Sequence, residues 1–252
     1  SAVQSAVRSH LDQARLRLLA AQQTTSPTEL TGLLGQFYIA IHAFHLEAER
    51  AELRNVTHLA SALEGMLKKM LEATKRSTPS TLGAATAALD LMEELCVQPE
   101  SGRQPDLRGT PARILVVDDD PVARRAVSTA VQLAFGRPDN AESGEVALGL
   151  VAEKPYDLIF LDVLMPGIDG FVTCSRIHET ALNRRTPVVF VTSHDDADAR
   201  SKAVTAGGCG FIPKPVLASQ IKLTALTFIM RARLNESRMV SEPVAEACVQ
   251  TA

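Results

Sequence analysis

From residue 1 to about 97, apolar positions recur every three or four residues, the rhythm of helices that bury one face. Proline occurs there only as Pro27 and Pro79, each just after a polar cluster able to cap a new helix. The pattern predicts a first helix from about Val3 to Ala21 and a last from about Ser80 to Cys96. Between them, Leu30, Leu34, Phe37, Ile41, Phe44 and Ala48 form one stripe, which slips by one position at Val56, Leu59, Leu63, Met66 and Met70. The slip predicts a turn near 52–57, with a single long bent helix as the alternative. Four helices with short loops make an up-down antiparallel bundle over residues 1–97.

"VQPESGRQPDLRGTPA" holds three prolines and two glycines, and residues 98–111 read as a linker. The rhythm then changes to short apolar runs alternating with helical ones. "ILVV", "DLIFL", "PVVFVT" and "GFIP" read as strands, with helices after 121, 143, 170, 196 and 217. The second strand, around "GRPDNA", is poorly written, since Pro138 and Asp139 stand where β-branched residues are favoured. Five alternations predict a doubly wound, five-stranded parallel sheet over 112–235, of α/β class. Residues 236–252 read as a tail without fixed structure.

Composition adds boundaries. With 46% apolar and 22% charged residues, the chain is written for buried cores. A formal net charge of -3 argues against nucleic acid as a partner. Cys96, Cys174, Cys209 and Cys248 lie far apart and match no metal-ligand spacing, so they read as reduced thiols of a cytoplasmic protein. No apolar run is long enough to span a bilayer, and no signal-peptide pattern is present. The chain opens on Ser1 without methionine, which suits a piece of something longer.

Ligands of a doubly wound sheet sit at the carboxyl ends of its strands. The first strand delivers Asp118, Asp119 and Asp120, the third Asp162, the fourth Thr192 and Ser193, and the fifth Lys214. Carboxylates crowded in this way repel unless a cation joins them. Few, hard oxygen ligands open to water suit Mg²⁺, which usually binds a phosphoryl group as well. Lys214 and the Thr192 hydroxyl can hold phosphoryl oxygens, and a carboxylate among them can attack phosphorus.

"LVVDDDP", "LDVLMPGIDG", "VVFVTS" and "GFIPKP", taken in order, resemble the receiver domain of two-component response regulators, CheY-like with strand order 2-1-3-4-5. The resemblance implies Asp162 as phosphoacceptor and Asp118, Asp119, Asp162 and the Leu164 carbonyl around Mg²⁺. It implies Thr192 and Lys214 as phosphate-binding groups, Phe211 with Thr192 as the switch, and a cis peptide between Lys214 and Pro215. His194 would tune the lifetime of the aspartyl phosphate. Asp120 reads as a cap for the following helix. Partners would be a sensor histidine kinase or phosphotransfer protein, and the chain would be a phosphoacceptor, not an enzyme.

In "QFYIAIHAFHLEAERAEL", Tyr38, His42, His45 and Glu49 gather in a polar strip beside the buried stripe. An exposed imidazole on a bundle helix, with "IHAF" and then "THLASALEGML", resembles a histidine-phosphotransfer domain, which implies His42 as the candidate phosphotransfer residue. That family places a lysine three residues after its histidine and small residues beyond. Here His45, Leu46 and Glu47 stand instead, with less positive charge and more bulk. The bundle is therefore read as a phosphotransfer or pseudo-phosphotransfer module. A metal on His42, His45 and Glu49 is an alternative, and His58 reads as an ordinary helix residue.

"RARLNESR" extends the last helix amphipathically, as a joint to an output domain or as a pairing surface for a homodimer. The functional expectation is a phosphorelay response regulator. The alternatives are phosphorylation-controlled assembly, or a regulatory fragment whose output, such as a nucleotide cyclase, lies elsewhere. A histidine kinase is disfavoured, because no ATP-binding glycine-rich or asparagine-bearing segment is present.

Overall fold

The computed structural model describes residues 2–73, 77–96, 111–193 and 197–241. Its first four helices are α1 (Ala2–Gln23), α2 (Pro27–Arg50), α3 (Arg54–Glu72) and α4 (Pro79–Cys96). Ser26 caps α2 by accepting from the Glu29 N–H, and Pro27 supplies the preset φ of a first turn. The predicted turn is real: residues 51–53 separate α2 from α3, with Glu52 at φ 56. Phe37, Ile41 and Phe44 of α2 meet Leu59, Leu63 and Met66 of α3 in one fully buried core. Arg15 of α1 bonds Asp90 and Glu93 of α4 at 2.7 and 2.8 Å across the outside of the bundle.

The second half alternates β1 (Ile114–Val117), α5 (Pro121–Phe135), β2 (Asp139–Ala141), α6 (Gly144–Glu153), β3 (Leu158–Leu161), α7 (Gly170–Glu179), β4 (Val188–Thr192), α8 (Ala197–Thr205), β5 (Gly210–Pro213) and α9 (Ala218–Ser241). The strands form one parallel sheet in the order β2-β1-β3-β4-β5. Leu115, Val117, Ile159 and Leu161 face α6 and α7, while Ile114, Val116, Leu158 and Phe160 face α5 and α9. Both faces are covered, which is why these strands read as unbroken apolar runs. The weak second strand is the three-residue edge strand, where Pro138 just ahead of it costs no ladder bond.

One element departs from the predicted division of the chain. Helix α9 turns Ile221, Ala225 and Ile229 to the sheet and Leu223, Leu226, Met230 and Leu234 into the bundle core. The bundle thus has a fifth helix, borrowed from the α/β half. The amphipathic extension expected to join an output domain or a second protomer is taken up by the chain's own α3 and α4. The helix also continues to Ser241, so the boundary drawn at 235 is too early: Leu234 is buried against the bundle, and Ser237 donates back to Arg233 and Leu234. The linker up to residue 110 and the tail beyond 241 lie outside the described residues.

Burying four such side chains contributes about 1.5–3 kcal/mol each, so the two halves are expected to melt as one unit. Leu226→Ala should lower stability by about 3 kcal/mol while keeping a single transition, as read by urea denaturation monitored by circular dichroism.

Candidate functional site

The strand ends converge as predicted. Asp118 follows β1, its N–H held by the Ala141 carbonyl, and Asp162 follows β3, its N–H held by the Val117 carbonyl. Lys214 follows β5 and its N–H donates to the Thr192 carbonyl at 2.8 Å, which sets it beside the end of β4. Its ammonium nitrogen then lies 2.8 Å from both Asp118 Oδ2 and Asp162 Oδ2. Asp162 Oδ1 accepts from the Val163 N–H at 2.7 Å. Asp118, Asp162 and Thr192 are buried, while Asp119 is exposed at the rim. Asp120 caps α5 by accepting from the Val122 N–H. The Lys214–Pro215 peptide is cis.

Gly170 explains the "PGIDG" stretch. A Cβ there would come 2.1 Å from the Asp162 carbonyl oxygen and 2.8 Å from Val163 Cα, so only glycine lets α7 begin against the loop carrying Asp162. Its own N–H donates to the Val163 carbonyl at 2.9 Å, fixing that loop from behind.

Ligand oxygens of Asp118, Asp119 and Asp162 lie within 4.8 Å of one another, and no other such metal-ligating cluster occurs among the described residues. His42, His45 and Glu49 do not bring their ligand atoms together in this way. Three carboxylates face one ammonium, an arrangement that calls for a further cation. Burial pushes the Asp118 carboxyl above its ordinary range despite its bond to Lys214. Burial alone would lower Lys214, but its two carboxylate partners outweigh that and raise it. Hard oxygen donors in a half-open pocket fit Mg²⁺. Burial pushes the Cys96 thiol up to about 11 and the Cys174 thiol up to about 12.

In the bundle, His42 projects from α2 with its side chain 54% exposed, and Tyr38 stacks on it at 6.2 Å between ring centroids. Its Nδ1 lies 3.0 Å from Glu64 Oε1 on α3, and His45 Nδ1 lies 3.1 Å from Glu64 Oε2. Glu64 was not singled out by the sequence, since it sits 22 residues from His42 and only the pairing of α2 with α3 joins them. A carboxylate on Nδ1 selects the tautomer that leaves the Nε2 lone pair free. His58 lines a groove with His45, Glu49 and Lys222. His194 lies outside the described residues.

Phe211 of β5 is half-buried, with the Arg200 guanidinium 5.4 Å from its ring centroid. Its carbonyl accepts from Ser80 Oγ at 2.7 Å, and Ser80 accepts from Gln220 Nε2 at 2.8 Å. Helix α4 therefore touches the backbone of the residue expected to switch. Beside it, a cavity of about 320 Å³ is lined by Gly83, Ala84 and Ala87 of α4 and by Phe211 and Thr224.

Removing Lys214 strands two buried carboxylates. Lys214→Met is expected to cost about 3 kcal/mol in the presence of a chelator, measured by urea denaturation at neutral pH, with part of the loss recovered on adding Mg²⁺.

Residues 114–226 match the family described as response regulator receiver domain. The response regulator PleD of Caulobacter vibrioides is 35% identical over 105 residues, covering 42% of this chain and 23% of PleD. The transcriptional regulatory protein ResD of Bacillus subtilis is 33% identical over 120 residues, covering 48% of this chain and 49% of ResD. The signal transduction histidine-protein kinase BarA of Shigella flexneri is 29% identical over 136 residues, covering 54% of this chain and 15% of BarA. The chain thus spans about half of ResD and less than a quarter of PleD and BarA. With the sheet order, the acidic pocket and its lysine, these matches make residues 114–226 a response regulator receiver domain.

Proposed function

We propose that the chain is a phosphorelay response regulator in which Asp162 accepts a phosphoryl group and His42 carries one. The observation that supports the first part most directly is the single ammonium of Lys214 set 2.8 Å from both Asp162 and Asp118. An Asp162 carboxylate oxygen attacks phosphorus, the bond to the donor breaks, and the donor leaves with its electron pair. Lys214 and the Thr192 hydroxyl hold the phosphoryl oxygens as the charge moves. Asp118, Asp119, Asp162 and the Leu164 carbonyl would hold Mg²⁺, which when bound neutralises phosphoryl charge. Phe211 and Thr192 would pass the change to Ser80 of α4, so that the bundle reads the receiver. A histidine kinase or a phosphotransfer protein would supply the phosphate.

For the bundle, the Glu64 contact supports an active phosphotransfer site over a pseudo-site. Glu64 places a negative charge where it stabilises the imidazolium formed as Nε2 takes phosphate. Homodimerisation through α9 is the weaker reading, because its outer apolar face is already filled by α3 and α4. An output such as a nucleotide cyclase would have to lie on another segment or another protein.

Incubation with acetyl phosphate and Mg²⁺ should add one phosphoryl mass to His42→Ala and none to His42→Ala carrying Asp162→Asn as well. An adduct on the double variant would place the acceptor elsewhere. Phosphoramidate, which phosphorylates imidazoles directly, should label His42 on the Asp162→Asn chain. Glu64→Ala should slow that labelling roughly tenfold, the worth of one charge-assisted hydrogen bond.

A further inference from the structure

We infer that the cavity between α4, β5 and α9 is a binding site for a small aromatic carboxylate, a single ring carrying one negative charge.

The cavity of about 320 Å³ lies where the helical half meets the receiver, and both halves line it. Helix α4 contributes Gly83, Ala84 and Ala87, while β5 and α9 contribute the half-buried rings of Phe211 and Phe228. Elsewhere α4 carries Leu82, Leu89 and Met92, which fill the bundle core. Protein interiors are close-packed, so a seam that keeps space of this size between small residues and aromatic rings calls for an occupant.

Its polar groups point the same way. Thr224 of α9 lines the cavity and is only 8% exposed, yet its hydroxyl makes no hydrogen bond to any described residue. Thr227 on the same helix shows the ordinary solution, donating to the Leu223 carbonyl at 2.8 Å. Gln220, 3% exposed, commits its Nε2 to Ser80 Oγ at 2.8 Å, and its amide oxygen accepts from no described residue. Buried polar groups left without partners are costly and few in native structures. A hydroxyl on the ligand, able to donate and accept, would answer both.

The charge comes from Arg200 of α8. Among the described residues that line the cavity it is the one charged side chain, and no carboxylate stands with it. Its guanidinium lies 5.4 Å from the Phe211 ring centroid, half-buried, where a carboxylate can take two of its N–H groups. The volume falls at the small end of the ~300–1,000 Å³ that ligand pockets span, so the occupant is one ring in size. A flat ring suits the space between a glycine–alanine wall and two phenylalanines. Because such a ligand touches α4 as well as β5 and α9, it favours the packing in which bundle and receiver are docked.

The test is calorimetric titration of the full chain with 4-hydroxybenzoate at neutral pH, beside benzyl alcohol, which lacks the carboxylate, and isovalerate, which lacks the ring. One 4-hydroxybenzoate is expected per chain with a Kd below about 1 mM, and the other two should bind at least tenfold more weakly. A Cβ at Gly83 meets nothing within 4 Å, and leucine favours a helix, so Gly83→Leu should fold, take up ligand space and weaken binding at least tenfold. Arg200→Met should also cost about tenfold. Thr224→Val removes a hydroxyl that has no partner, so it should weaken binding about fivefold without lowering the Tm of the free chain. Absence of binding by wild type would overturn the inference, and so would an affinity that Gly83→Leu leaves unchanged. Benzyl alcohol or isovalerate binding as tightly as 4-hydroxybenzoate would overturn the assignment of an aromatic carboxylate.

Discussion

The packing of one helix into two cores governs the rest of this molecule. Helix α9 closes one face of the sheet with Ile221, Ala225 and Ile229, and with its other side it fills the groove between α3 and α4. A helix apolar on two sides must be covered on both, or it exposes a stripe that invites association. The bundle is the cover. That single requirement fixes where the helical half sits, which of its faces stay open, and which edge of the receiver stays free.

The acidic pocket lies at the opposite end of the energy scale. Its charges repel, its carboxylates are mostly buried, and one lysine bonds to two of them. Such a cluster is held by its surroundings: strand-end backbone bonds fix Asp118, Asp162 and Lys214 in place, and the bare Cα of Gly170 lets α7 press on the loop behind Asp162. Stability is spent there on geometry. Between pocket and bundle runs a short physical connection, from Lys214 through the Thr192 carbonyl to β4, across the sheet to Phe211, and through Ser80 to α4.

The receiver was legible in the sequence because each of its site residues ends an apolar run, and a parallel sheet gathers such ends at one edge. Asp118, Asp162, Thr192 and Lys214 each stand at such an end. The turn between α2 and α3 was legible as a phase slip, and Asp120 as a cap, since both are local signals. Two features were not. The second apolar face of α9 is written with Leu223, Leu226 and Met230, interleaved with the residues that face the sheet, so the sequence showed an amphipathic extension without showing that the chain's own bundle covers it. Glu64 belongs with His42 only after α2 and α3 pair, and no pattern within one helix announces a contact across two.

The shared helix also bears on how the chain comes into being. Chains are made from the amino end, and domains generally fold in that order. Here α1 to α4 are synthesised long before Leu223, Leu226, Met230 and Leu234, which complete their core. Until the last of those residues leaves the ribosome, the seam between α3 and α4 lies open and greasy. The amino-terminal half must wait for the carboxyl-terminal helix, and a chaperone that shields that seam during synthesis would be guarding the place where α9 will lie.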